Sequence, residues 1–329
     1  MKKNQMKKSM ALLLAAVMLV SGGCGANTAK KEETPKDQIE VVEKQDAGKV
    51  TFTDDLGREV TVERPKRVAC LISSFSDIWY QAGGVDQIVA ATSATWKYLN
   101  LPLKEDVVDL GSTKELNMEQ LIASEPDFVL ASCGTDRNVE LEKSFEQLGL
   151  NVAYFNVDNL EDYLRVLKIC TDITGCVDNY KKNGTDVEKQ VEEVRKRVDG
   201  SKPSVLYVRA TGSSCKVKNS EESVLGEMLA DLDCVNIADQ DGSLLEQLSM
   251  EKIVESDPEY IFVVLQSAKP NEAETMLENT LLSNPAWNTL SAVKEGRYHV
   301  MDPNLYNLKP NARWGEAYEK LADILYPKQ

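Results

Sequence analysis

Histidine occurs once in 329 residues, as His299. Transition-metal sites ordinarily recruit several histidines or a carboxylate–histidine set. A lone histidine in a strand-like run therefore reads as structural. The same scarcity removes the usual base of a Ser–His–Asp hydrolase, and no G-x-S-x-G turn presents a nucleophile. Neither a Walker A sequence nor G-x-G-x-x-G occurs, so no phosphate-cradling loop is indicated. Positive charge is also short: 38 Lys and Arg face 53 Asp and Glu, a net charge of −15. That balance argues against nucleic-acid binding, which calls for a basic face. The seven cysteines include no C-x-x-C pair. Cys70 lies in an apolar run and Cys170 in a helical one, both expected as core residues.

Among what is present, the N-terminus comes first. Lys2, Lys3, Lys7 and Lys8 precede the apolar run Met10–Val20, which is too short to span a bilayer comfortably. Ser21, Gly22 and Gly23 then lead to Cys24. This resembles a bacterial lipoprotein signal over residues 1–23, with Cys24 as the lipidated first residue of the mature chain. An ordinary cleaved signal peptide and an uncleaved anchor are the alternatives. Residues 24–48 are polar and rich in Lys and Glu, as in a flexible tether. A lipid on Cys24 would hold the protein at the outer face of the cytoplasmic membrane.

The rest of the chain is doubled. Residues 116–130 read LNMEQLIASEPDFVL and residues 248–262 read LSMEKIVESDPEYIF, aligned without a gap. Each begins with an N-capping residue, Asn117 or Ser249. Each continues with helical apolar spacing and stops before a proline, Pro126 or Pro258. An apolar strand follows, Phe128–Ser132 or Tyr260–Leu265. At the second helical position stands a glutamate, Glu119 or Glu251. Around these copies, strands alternate with helices. Val50–Thr53 and Val60–Val62 read as a hairpin. Strands are expected at Val68–Ile72, Ile88–Ala91, Val152–Asn156, Ser204–Arg209, Val235–Ile237 and Arg297–Met301. Such alternation predicts an α/β fold of two similar lobes, each a parallel-type sheet flanked by helices. The expected division is a first lobe over 49–158, a helical segment over 159–201 interrupted by Gly175 and Gly184, and a second lobe over 202–329. The charge-rich, valine-striped end of that segment, residues 186–198, reads as a stiff rod between lobes.

No catalytic set emerges, so the expected function is binding. Ligands of α/β proteins sit beyond the carboxyl ends of parallel strands, and a cleft between lobes would gather those loops. The candidates are Ser74, Phe75, Trp96, Lys97, Tyr98 and Arg137 from the first lobe. Arg209, Tyr306 and Arg313 come from the second. Guanidinium groups suit carboxylate and catecholate oxygens, and aromatics cover flat ligand surface. Trp79 and Trp314 lie inside helices and are expected to pack.

Several stretches then carry a resemblance: Thr51-Phe-Thr-Asp-Asp-Leu-Gly-Arg-Glu-Val, Pro65-Lys-Arg-Val, Leu110-Gly-Ser with Leu116-Asn-Met-Glu-Gln, Pro126-Asp-Phe-Val, Gly296-Arg-Tyr-His-Val and the Arg313-Trp helix. Over about Lys49 to Pro327 the chain resembles the iron-complex class of ABC-transporter substrate-binding proteins, which takes ferric siderophores, haem or vitamin B12. The resemblance implies two lobes joined by one long helix, a class III periplasmic-binding-protein-like fold. It also implies a monomer that works with a permease and its ATPase subunit, with no catalysis and no intrinsic cofactor, the iron complex being cargo. One surface glutamate per lobe docks on the permease in that family. The match falls on Glu119, with Glu251 as its repeat partner, although the helix dipole alone favours glutamate there. Within the class, Lys97, Arg137, Arg209 and Arg313 point to a ferric siderophore. Haem would call for an axial Tyr, Met or His, and B12 for a more aromatic cleft. An enzyme or redox protein on the same scaffold, or a tethered interaction protein without ligand, are the readings of other classes.

Overall fold

The computed structural model describes residues 49–328 apart from Glu222, Ala268 and Pro270. The expected signal peptide, the tether and Cys24 lie outside the described residues. No helix among the described residues is long and apolar enough to cross a membrane.

Strands β1 (Lys49–Thr53) and β2 (Glu59–Glu63) form an antiparallel hairpin. Val60 and Val62 alternate inward, and Gly57 takes the left-handed conformation that closes the turn, at φ 77°. The first sheet contains β3 (Val68–Cys70), β4 (Ile88–Ala91), β5 (Val108–Asp109), β6 (Phe128–Ser132) and β7 (Val152–Phe155). Its order is β5-β4-β3-β6-β7, with every pairing parallel. All residues of β3, β6 and β7 are buried, which is why their sequences are unbroken apolar runs rather than alternating ones.

The second sheet contains β8 (Ser204–Thr211), β9 (Cys215–Lys218), β10 (Val235–Asn236), β11 (Tyr260–Gln266) and β12 (Tyr298–Met301). Its parallel order is β10-β8-β11-β12. Strand β9 runs antiparallel against Tyr207–Ala210 of β8.

Between the sheets, the helix Leu160–Thr174 ends at Gly175, whose φ of 76° makes the left-handed C-terminal stop. Helical structure resumes at Val177 and runs through a π turn, Lys181–Thr185, into the helix Asp186–Arg195. Gly175 therefore divides the segment, whereas Gly184 sits inside continuous helix against the Tyr180 ring, where a Cβ would come within 3.0 Å. The π turn has a local cause. Asn183 donates to the Gln81 carbonyl at 2.8 Å, and its own carbonyl accepts from the Tyr163 hydroxyl at 2.7 Å. The valine stripe is buried at Val187, Val191 and Val194. It belongs to one apolar cluster that reaches from Phe52, Trp79 and Phe128 to Tyr207, Phe262 and Trp314. Trp79 and Trp314 are fully buried there.

Candidate functional site

The carboxyl ends of the parallel strands of both sheets meet at a cleft. Its larger cavity, about 510 Å³, is lined by Ile72 after β3, by Ser132 to Thr135 after β6, and by Asn156 and Asp158 after β7. Lys309, which follows β12 in the second lobe, completes the lining. A smaller space is lined by Tyr98 of the first lobe and by Leu265, Gln266, Ser267, Pro303, Asn304, Asn307 and Leu308 of the second.

Two polar links among the described residues cross between the lobes. Lys309 Nζ lies 2.8 Å from Asp158 Oδ1. Asn311 Nδ2 donates to Asp77 Oδ2 at 2.7 Å and to the Ser74 carbonyl at 3.0 Å. The positions of these groups follow from local chemistry. Asp158 precedes a helix whose N-cap, Asn159, accepts from the Asp162 N–H, while Asp162 accepts from the Asp158 N–H in return. Lys309 precedes Pro310, which restricts its backbone. Asn311 adopts φ 52°, a conformation asparagine tolerates better than most residues.

Burial pushes the Asp158 carboxyl up, but the Lys309 ammonium and Asn156 outweigh it and leave it below the usual carboxylate range. Asp77 goes the other way: burial raises it, against the hydrogen bonds of Asn311 and Gln81 and the Arg313 charge. Burial, with the negative charge of Asp55, also raises the Cys133 thiol. It therefore stays protonated at neutral pH and makes a poor nucleophile. The cavity offers hydroxyls, an amide, a thiol, one ammonium and one carboxylate, a set suited to holding a polar solute. No group of His, Cys, Asp and Glu able to hold a metal ion occurs among the described residues.

The expected site residues divide in three. Trp96 and Tyr98, 43% and 41% exposed, lie on the short helix Ala94–Tyr98, with Lys97 Nζ 5.0 Å from the centre of the Tyr98 ring. Arg209 is half-buried on β8, with Nη1 3.5 Å from Asn307 Oδ1. Ser74 is half-buried and supplies its carbonyl to Asn311. A second group is engaged locally. Arg137 pairs with Glu140 at 3.3 Å, and Arg313 with Glu316 at 2.7 Å.

Phe75 and Tyr306 must be corrected, because neither can touch a ligand. Phe75 is 1% exposed and packs edge-on against Phe155. It lies on the helix Ser73–Gln81, whose inward face Phe75, Ile78 and Trp79 share. Tyr306 is 2% exposed and donates its hydroxyl to the Ala317 carbonyl at 2.9 Å. Its stretch forms the helix Pro303–Tyr306 with Asp302 as N-cap, which turns Leu305 and Tyr306 inward.

Asp158 and Lys309 are not among the residues expected from the sequence. Their signal was position at strand ends, and it competed with many other charged residues. Glu119 and Glu251 are both exposed in the first turn of their helices, capped by Asn117 and Ser249.

A family model described as periplasmic binding protein matches residues 68–305. An uncharacterized ABC transporter substrate-binding lipoprotein of Bacillus subtilis is 26% identical over 324 residues, 96% of each chain. The Fe(3+)-citrate-binding protein of the same organism is 23% identical over 309 residues, 91% of this chain and 90% of its own. Among solved structures, Staphylococcus aureus IsdE complexed with heme superposes with a TM-score of 0.65 at 17% identity, covering 79% of this chain and 98% of that one. The periplasmic vitamin B12 binding protein of Vibrio cholerae gives 0.63 at 18% identity, covering 81% and 99%. At such identities the superpositions speak for the fold. The family match spans most of the globular part, and this chain belongs to the periplasmic binding protein family, as a solute-binding protein rather than an enzyme.

Proposed function

We propose that the protein is the extracytoplasmic solute-binding component of an ABC importer and that its cargo is an iron complex, in particular a ferric siderophore. Relatives named for iron uptake and Fe(3+)-citrate binding support the iron class. Arg209 is the observation that carries the cargo assignment. It is half-buried beside the inter-lobe loops, its hydrogen-bond partner is the neutral Asn307, and no carboxylate among the described residues pairs with it. A guanidinium left without a counter-charge beside Asn307, which lines the smaller space, suits the carboxylate or catecholate oxygens of a ferric chelate. The larger cavity has no Tyr, Met or His in its lining, which weighs against an axial haem ligand there. Tyr98 at the smaller space is the observation that keeps haem as the second reading.

Lipid on Cys24 holds the protein at the membrane, and the polar tether gives the lobes reach. Glu119 and Glu251 present the loaded protein to the permease, and ATP hydrolysis takes place on the partner ATPase subunit. The test is tryptophan-fluorescence titration with ferric siderophores, haem and vitamin B12, using Trp96 near the cleft as reporter. A siderophore is expected to quench saturably, with Arg209→Ala weakening binding about tenfold or more. Failure of the whole panel at concentrations of about 1 μM or above would overturn the assignment. For docking, Glu119→Ala combined with Glu251→Ala is expected to abolish uptake while leaving solute affinity unchanged. Undiminished uptake would remove the docking role.

A further inference from the structure

Asp158 and Lys309 are the charged residues lining the larger cavity, and each comes from a different lobe. Their side chains are 25% and 22% exposed, so the pair is largely withdrawn from water. The two partners are held differently. Asp158 has a second donor on its own lobe, the Asn156 amide, which bonds its other carboxylate oxygen. It therefore keeps a hydrogen bond when Lys309 leaves. For Lys309, Asp158 is its ion-pair partner among the described residues, and an ammonium has three protons to give. Its backbone is set by Pro310 and by Asn311, which is tied to the first lobe two residues further on.

We propose that Lys309 determines specificity for anionic solutes and that Asp158 is its resident competitor, so that a solute enters by taking the ammonium from that carboxylate. The inference rests on the solute-binding reading above and adds to it a residue and a charge rule. Exchange of one carboxylate for another anionic oxygen leaves the count of charge-assisted hydrogen bonds at Lys309 unchanged. It also leaves Asp158 with one hydrogen-bond donor, Asn156, so release costs less than it would for a carboxylate left with none. A cationic solute offers nothing to Lys309 and leaves the ion pair closed. The same pair lines the cavity together with Cys133 and is expected, while closed, to limit access to that thiol.

The test uses the full chain in detergent micelles with three probes: ferric citrate, the trianionic ferric tris-catecholate, and ferrioxamine B, a cationic hydroxamate. The variants are Lys309→Gln, Asp158→Asn and the charge-preserving Lys309→Arg. Lys309→Gln is expected to weaken the anionic probes by about tenfold and Asp158→Asn to tighten them by a similar factor, the size of one charge-assisted hydrogen bond. Binding of ferrioxamine B, where present, is expected to be unaffected. A merely structural ion pair would weaken binding in both variants, and that outcome, or no change in either, overturns the proposal.

A second measurement needs no solute. Maleimide labelling of Cys133, followed by peptide mass mapping, is expected to quicken several-fold in both Lys309→Gln and Asp158→Asn and to stay at the native rate in Lys309→Arg. Unchanged rates in the first two overturn the role of the pair in access. If none of the three probes binds the native protein, the iron-complex reading fails, while the labelling rates still decide whether the pair closes the cavity. Should Asp158→Asn not fold, Lys309→Gln against Lys309→Arg decides both points.

Discussion

The two lobes share a unit and differ at their edges. In the first, Asn117 caps a helix by accepting from the Gln120 N–H at 3.0 Å; in the second, Ser249 accepts from the Lys252 N–H at 3.4 Å. The residue before each proline is left-handed, Glu125 at φ 44° and Asp257 at φ 37°. The acid after each proline then reaches the start of the neighbouring strand. Asp127 accepts from the Lys66 and Arg67 N–H groups, and Glu259 accepts from the Ser204 N–H. Such agreement, down to side-chain hydrogen bonds, ties the central strand pairs β3–β6 and β8–β11 together in the same way.

The edges are another matter. The first lobe carries the hairpin β1–β2, locked by a buried Asp54 that pairs with Arg58 at 2.6 Å. Arg58 also meets Glu142 and stacks over the Tyr154 ring. The second lobe instead closes β8 with the antiparallel β9. The shared part aims strand ends at the cleft; the divergent parts seal sheet edges, a task with many solutions.

Truncating matched aromatic cores should show whether the lobes are energetically one body. Phe128→Ala and Phe262→Ala are each expected to cost about 3–5 kcal/mol, since both side chains are fully buried. Because one apolar cluster joins them, calorimetry should show a single transition for both variants. Two separated transitions would split the lobes. Next in size is a change confined to one lobe. Arg58→Ala leaves the fully buried Asp54 carboxylate without its counter-charge. It is expected to cost about 3 kcal/mol in urea titration, and a loss below about 0.5 kcal/mol, the ordinary surface effect, would mean the hairpin lock is unimportant.

The caps offer a finer comparison. Asn117→Ala and Ser249→Ala should each lose about 1 kcal/mol, with the shorter Asn117 bond giving the larger loss. The reverse order would show that the second copy depends more on its cap.

Acid titration gives the smallest effect. Arg313 and Lys320 hold the Glu316 carboxyl at about 2. With its folded value below the unfolded one of about 4.3, Glu316 contributes stability above that range and loses it as pH falls toward 2. Asp77, raised by burial, has the opposite sign: its contribution is present at low pH and is lost as pH rises through its folded value. Thermal melts from pH 5 to 2 should therefore show a shallower acid decline for Glu316→Gln and a steeper one for Asp77→Asn. Parallel curves would remove both assignments.

Much of the fold was legible because its signals are local. Unbroken apolar runs marked β6 and β11, a proline stopped each repeat helix, and Gly175 marked a stop that its left-handed backbone bears out. The valine spacing over Val187, Val191 and Val194 coincides with the buried side of its helix. The cleft residues were less legible. Phe75 and Tyr306 read as loop residues in the sequence because short polar-flanked stretches carry too few residues to display a period. In each case an additional helical turn carried the ring into the core. Arg137 and Arg313 looked available until carboxylates three residues on, Glu140 and Glu316, proved to hold them.

By itself the amino-acid sequence determined the duplicated unit, the alternation of strands and helices, and the glutamates at matched helix starts. Each depends on neighbours a few residues apart, where backbone geometry and side-chain period act directly. Only the tertiary structure decided which side chains face the cleft and which meet across it. Asp158 and Lys309 stand 151 positions apart. No local preference encodes their encounter, because the distance between them is set by how two sheets and the helix from Val177 to Arg195 pack around a common core.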